Sequence, residues 1–231
     1  MSSGPELKLD WCSYQAAKYA VERWHYSHRM PKSKLAKIGV WEDDRFIGVI
    51  IFGVGATSDL VKQYSLRSTE GCELVRVALD SHSNTVTRMF KVAISMLKRQ
   101  SIGLRLIVSF ADPEVGHVGG IYQGGNWIFT GRTSQSDEYI YRGRRWQGRS
   151  FRNKFKRMEN HPLVKKVKGS AKLRYLYPLD KAMRRQIEPL RQPYPKRVTS
   201  IGSDVPAVQA GEPGASPRVT LSKAKKVKHG T

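Results

Sequence analysis

The side chains able to do chemistry gather in three short stretches. "WHYS" (24–27) sets His25 and Tyr26 where a helical pattern runs out into a basic loop. "ELVRVALD" (73–80) carries Arg76 inside an otherwise apolar run. "SFADPEVGHVGGIYQGGNW" (109–127) adds Ser109, Asp112, His117 and Tyr122 among five glycines. A histidine whose unperturbed pKa is about 6.5 suits a proton acceptor or a substrate-positioning group. Asp112 follows a buried strand, and ligands of open α/β sheets collect beyond the carboxyl ends of their strands. An aspartate before a proline is equally good N-cap chemistry, so both roles are open. Arg76 either lies on the exposed face of a half-buried strand or faces a cleft, where it would bind a carboxylate, a phosphate or a thioester oxygen. Ser109 is a lone polar group in an apolar strand. His25, His117 and Asp112 together would make a two-histidine, one-carboxylate set of the kind that suits ferrous iron.

The elements around these residues follow from periodicity. "ELKLDW" alternates as a strand, and Ser13 is placed to cap a helix with Tyr14, Ala17, Val21 and Trp24 at helical spacing. "KIGVWEDDRFIGVIIFGVG" reads as a hairpin about its "DDR" turn, and "CELVRVAL" as a further strand. The clearest helix is "NTVTRMFKVAISMLKRQ", with Val86, Met89, Phe90, Ala93, Ile94 and Leu97 on one face. "LRLIVSF" suits a central buried strand, and "WIFTGRT" and "EYIYRG" read as a second, late hairpin. A strand–helix–strand crossover implies parallel pairing and the hairpins imply antiparallel pairing. The expected fold is therefore mixed α/β (α+β): one mixed sheet flanked by helices, with a basic C-terminal extension.

Composition narrows the partners. The 231 residues carry 41 Lys and Arg against 19 Asp and Glu, a formal net charge of +22. Solubility needs far less charge, so the excess points to a polyanion, nucleic acid before an anionic membrane. Beyond residue 143 basic residues crowd together with interleaved aromatics. Arg144, Arg145, Lys154, Lys156, Arg157, Lys172 and Arg174 are the expected phosphate contacts, and Trp146 and Tyr175 the aromatics that would stack on a base. The expected organisation is a core over 1–143, a basic DNA-binding extension over 144–189 and a disordered basic tail over 190–231. Cys12 and Cys72 form no paired motif, which argues against a disulfide framework or a cysteine-type zinc site and for a reducing compartment. No run of about 18 apolar residues exists to span a membrane, and the start of the chain lacks a signal-peptide core.

The element order resembles the GCN5-related N-acetyltransferase fold, whose fourth helix often ends in a pattern like Ile121, Tyr122, Gly125 and Trp127 of "IYQGGNW". With "WHYS", "ELVRVALD" and "SFADPEVGHVGG", the chain resembles the Mom DNA-modification family of Mu-like bacteriophages over about residues 6–145, and more loosely to 187. That resemblance implies a transferase that adds a carbamoylmethyl (acetamido) group to N6 of adenine in phage DNA, protecting it from restriction in the cytoplasm of the infected host. It also implies acetyl-CoA and iron as associated ligands. His25, Tyr26, Asp112, Tyr122, Arg76 and Ser109 are then the expected catalytic set, with Tyr122 near the leaving group. The expected cofactor set is Val77, Leu79, Ser83, Asn84 and Thr85. One departure stands out: the loop before the long helix reads "DSHSNTVTR" and has no glycine. A helix N-terminus still offers free N–H groups to phosphate, and Ser83, Asn84 and Thr85 would add donors.

An enzyme acting on N6 inside a duplex must expose the base, so double-stranded DNA with a flipped adenine is the expected partner. The oligomeric state is open, a dimer included. Two other readings compete: a non-catalytic nucleic-acid-binding protein on the same scaffold, and an ordinary acetyl-CoA-dependent N-acetyltransferase. The missing glycine loop and the charge of +22 both count against the last.

Overall fold

A computed structural model of the chain describes residues 4–55 and 59–196. The first half builds as its periodicity requires. Strand β1 (Leu7–Trp11) leads to α1 (Tyr14–Trp24), whose first turn is capped by Ser13 Oγ accepting from the Ala16 N–H. Ala17, Ala20 and Val21 of α1 are buried while Tyr14 is exposed. Strands β2 (Leu35–Glu42) and β3 (Arg45–Gly53) form the expected hairpin, turned by Asp43 and Asp44 at φ of 46° and 60°. Two consecutive positive φ values match the right-handed twist of the flanking strands. Strand β4 (Gly71–Leu79), helix α2 (Val86–Gln100) and strand β5 (Leu106–Ala111) make the crossover, and β4 and β5 pair in parallel.

The large sheet has seven strands in the order β1-β2-β3-β4-β5-β10-β6, where β6 is Ile128–Arg132 and β10 is Leu173–Pro178. Period-2 alternation divides its core. Ile38, Val40, Ile50, Phe52 and Ile107 pack under Met89, Phe90, Ala93, Ile94 and Leu97 of α2. On the opposite face, Val49, Ile51 and Ala78 meet α1. Leu106, Val108 and Ile128 meet α5 (Lys181–Ile187) through Met183 and Ile187. Each fully buried Leu, Ile, Val, Met or Phe contributes about 1.5–3 kcal/mol of gross transfer free energy, which is what fixes the helices to the two faces. The mixed sheet flanked by helices is the expected fold class.

The second half differs from expectation in two ways. Strands β6 (Ile128–Arg132) and β7 (Asp137–Tyr141) do not pair with each other. Strand β6 is the edge of the large sheet, whereas β7 is the middle of a separate three-stranded sheet between β8 (Arg144–Gln147) and β9 (Val164–Lys168). Helix α4 (Gly148–Phe155) closes that small sheet over an aromatic core of Tyr139, Tyr141 and Phe151. The expected boundary at residue 143 is therefore misplaced. The chain leaves the large sheet after β6, folds the small one, and returns as β10 (Leu173–Pro178), which fills the slot between β5 and β6. The physical reason is apolar content: Leu173, Tyr175 and Leu176 are buried and need a sheet on both sides, despite their basic surroundings. Of the expected tail, 190–196 runs beside β6, with the Gln192 N–H donating to Phe129 O and Tyr194 Oη to Trp127 O. Residues 197–231 lie outside those described.

Candidate active site

The parallel pair β4–β5 is short. Only Gly71, Cys72 and Glu73 are in register with Leu106, Ile107 and Val108. Beyond that point β4 continues to Leu79 and β5 to Ala111 without pairing, so the two strands diverge into a cleft. A β-bulge in the β3–β4 ladder falls between Phe52–Leu74 and Ile51–Arg76, at the mouth of that divergence. Bulges re-aim side chains, and this one frees Arg76 from strict alternation.

Five expected catalytic residues come together here: Ser109, Tyr122, Arg76, His25 and Tyr26. Ser109 Oγ lies 2.9 Å from Leu74 O and 2.8 Å from Tyr122 Oη. A carbonyl only accepts and a serine has one proton, so Ser109 donates to Leu74 and Tyr122 donates to Ser109. This relay ties β4, β5 and α3 (Gly120–Gly124) together across the cleft. Tyr122 is buried against Phe90, Trp127 and Tyr175, and burial pushes its hydroxyl up to about 12, so it stays protonated. Arg76 is half-buried, and burial lowers its pKa while the neighbouring Tyr26, Glu73 and Tyr122 act to raise it. Its Nη1 donates to Val75 O at 2.6 Å, and its Nε is buried without a hydrogen-bond partner among the described residues. Arg76 is thus half-buried and not on a fully exposed strand face.

His25 ends α1 as its C-cap and is 8% exposed. Burial first, then the positive charge of Arg76 and the nearby His117 and His28, lower its pKa to about 3. It is neutral at physiological pH. Its Nδ1 accepts from the Ser27 N–H at 3.1 Å, which leaves the ring proton on Nε2. Neutral His25 thus presents Nε2–H as a hydrogen-bond donor. Tyr26 stacks on it with ring centroids 4.3 Å apart and on His117 at 5.4 Å, with its own side chain 52% exposed.

Asp112 serves as the expected N-cap. It caps the short helical turn Pro113–Val115, accepting from the Glu114 N–H at 3.2 Å. Its carboxylate also accepts from Ser170 Oγ at 2.8 Å and pairs with Lys172. Burial acts to raise its pKa, but hydrogen bonds from Lys172 and Ser170 and the lysine charge outweigh it, so the carboxyl is held below its usual range. Lys172 is therefore engaged inside the protein rather than presented to phosphate. Among the described residues no three His, Cys, Asp or Glu side chains lie close enough to hold a metal ion, so His25, Asp112 and His117 do not assemble as a triad. The reason is the direction of Asp112, which turns toward β10 and its preceding loop.

Gly119 serves the protein's own packing. Gly119 sits at φ +80° and a Cβ there would meet the Tyr175 ring at 2.4 Å. That close approach lets Tyr175 Oη donate to Val118 O at 2.5 Å. Tyr175 is fully buried, which rules it out as the aromatic that stacks on a flipped base in this conformation. Arg174 also turns inward, donating to Thr130 and to Gln63 on the α5 side of the sheet. By contrast Arg144, Arg145, Lys154, Lys156 and Arg157 are exposed on the small sheet and α4. Arg144 and Lys154 lie over the Trp146 ring at 4.3 and 4.9 Å. Arg145 pairs with Glu138 and, at 3.3 Å, with Glu114, which links the small sheet to the loop after β5.

The expected cofactor loop is differently occupied. The N–H groups of Ser83 and Asn84 point at the Glu42 carboxylate, at 3.0–3.1 and 2.6 Å. Thr85 uses its side chain to cap α2, accepting from the Arg88 N–H. Val77 and Leu79 lie on the diverging part of β4 with their side chains in the core beneath α2. Sequence reasoning missed Glu42, although a signal existed: it extends the inward alternation of Ile38 and Val40, and a buried acid demands donors.

With this geometry in place, relatives can be compared. Residues 6–196 match the model of the Mom protein family. The chain belongs to that family. Over 130 residues it is 25% identical to methylcarbamoylase mom of Escherichia phage Mu, and the match covers 54% of each. The chain thus spans about half the length of the curated Mom relative it matches. A solved structure from Acinetobacter baylyi ADP1, assigned as an acetyltransferase, superposes with a TM-score of 0.44 and 14% identity, covering 78% of this chain and 96% of that one. The Mom family match takes in β10, which the expected core had left out, and the small sheet with it.

Proposed function

We propose that this Mom family chain is a DNA-modifying transferase that adds a carbamoylmethyl group to N6 of adenine, in DNA bound across its small basic sheet. The observation that carries the reading is the convergence of His25, Tyr26, Arg76, Ser109 and Tyr122 where β4 leaves β5. The phage Mu relative, named as a methylcarbamoylase, gives the group its chemical class.

An adenine amino group is a weak nucleophile, so the site must orient it and stabilise developing charge. The exposed ring of Tyr26, backed by His25 and His117, is a platform on which a flipped base stacks. Neutral His25 donates from Nε2 to an acceptor on the base or on the incoming group. Its low pKa keeps it a donor without a charge that would compete with Arg76. Arg76, half-buried beside it, places a guanidinium where an oxyanion develops. Tyr122 and Ser109 hold the cleft open at a fixed width through their hydrogen-bond relay. Asp112 accepts three hydrogen bonds, from Glu114, Ser170 and Lys172, and a carboxylate has room for about four. The residues for an iron site are not gathered, and no step is assigned to one.

The test is co-expression of the full chain with a plasmid, followed by nucleoside mass spectrometry. A new adenine nucleoside of carbamoylmethyl mass is expected with the wild type and is strongly reduced with Arg76→Met and with His25→Leu. Folded, soluble wild-type protein that leaves plasmid adenine unmodified while binding DNA would replace this reading by the binding-only one.

A further inference from the structure

The loop that joins β4 to α2 is where the resemblance to acetyltransferases puts the diphosphate of a coenzyme A thioester. In this protein an internal anion already fills it. Glu42, the last residue of β2, is 5% exposed. Its carboxylate accepts from the Ser83 N–H, from the Asn84 N–H at 2.6 Å and from Asn84 Nδ2 at 2.9 Å. Asn84 Nδ2 also donates to Pro5 O, and Asn84 Oδ1 accepts from Arg88, so the amide is held from both ends. One first-turn donor of α2, the Arg88 N–H, is taken by the Thr85 side chain.

We infer that Glu42 stands in for the diphosphate at the Ser83 and Asn84 N–H groups of this loop, and that the protein therefore binds no diphosphate-bearing acyl donor through them. These two N–H donors are spent on a buried carboxylate, and a diphosphate arriving at the same point meets its negative charge. Burial acts to raise the Glu42 pKa, yet the Ser83 and Asn84 hydrogen bonds outweigh it, so the group is ionised at neutral pH. A glycine-free loop is consistent with this, because no ligand backbone-to-phosphate approach has to be accommodated. The donor of the transferred group must be held elsewhere, by its reactive end in the β4–β5 cleft or by the basic surface. This inference does not depend on the DNA reading.

The experiment follows the backbone amides of Ser83 and Asn84 by nitrogen–proton correlation spectroscopy during titration of the full chain with coenzyme A and, separately, inorganic pyrophosphate. In the wild type these two amides should stay fixed, even where exposed basic residues shift. In Glu42→Gln, which keeps the shape and removes the charge, they should move saturably with either probe. Saturable movement of both amides in the wild type, with Kd below about 1 mM, overturns the inference. So does a folded Glu42→Gln protein whose amides ignore both probes, because Glu42 would then not be what excludes the diphosphate.

Discussion

The two sheets of this protein manage charge in opposite ways. In the cleft of the large sheet, ionisable groups are buried and held to one state: His25 is neutral, Tyr122 is protonated, and Asp112 is ionised against Lys172. On the small sheet, Arg144, Lys154, Lys156 and Arg157 are exposed, and the aromatics Tyr139, Phe151 and Phe155 form the core beneath them. Exposed charge acts over a Debye length and is screened by salt; buried groups act only on what touches them, with little screening. The small sheet is thus suited to collecting a polyanion and the cleft to handling one group on it. Neither arrangement would serve in the other's place, since exposed His25 would titrate near neutrality and buried lysines would not stay charged.

That contrast can be broken by experiment. The largest effect expected is from His25→Leu, which removes the Nε2 donor: yield of modified adenine should fall by about 100-fold or more while DNA affinity and its salt dependence stay put. Equal loss of both would merge the two regions into one. Next is acid sensitivity. His25 has a folded pKa of about 3, below its unfolded value, so the unfolded chain binds the proton more readily and stability falls as pH drops below about 6.5. The slope from this group is at most about 1.4 kcal/mol per pH unit, and urea unfolding of His25→Gln should show a flatter profile between pH 6.5 and pH 4 than the wild type does. A third change, Arg144→Gln with Lys154→Gln and Arg157→Gln, should weaken DNA binding by about tenfold at moderate salt and reduce the log–log salt slope by about 2–3. Single-turnover chemistry at saturating DNA should be unaffected, and a slowed chemical step would show that the basic sheet also shapes the cleft. The smallest effect is assigned to Lys172→Met. Lys172 is about a third exposed, so loss of its pairing with Asp112 should cost about 1–2 kcal/mol in urea unfolding at pH 7, shrinking as Asp112 protonates at low pH.

Legibility followed distance along the chain. Helix α2 was readable because Val86, Met89, Phe90, Ala93, Ile94 and Leu97 repeat at the helical period, and all six are buried. The β2–β3 hairpin was readable from its turn, and α1 from its Ser13 cap. Strand β10 was not, since Arg174 and the surrounding lysines masked a segment that pairs with β5 and β6 from more than 40 residues away. The same masking made β6 and β7 look like a hairpin, because adjacency in sequence is the default and only the missing strand between β5 and β6 separates them. Within the site, His25, Arg76, Ser109 and Tyr122 were named from their types and neighbours, yet the tautomer of His25 depends on the Ser27 N–H and the engagement of Asp112 depends on Lys172.

What the amino-acid sequence determined by itself was therefore the local order: the helices and strands of the first half, the excess of positive charge, and the residue types that line the cleft. Tertiary structure alone decided which of those residues share a site and in which protonation state. Glu42 and the Ser83–Asn84 loop lie about 40 residues apart, and Asp112 and Lys172 lie 60 apart. Short-range periodicity is a property of the backbone and can be read along the chain. Burial and charge pairing are properties of neighbours in space, and those exist only once β10 has closed the sheet.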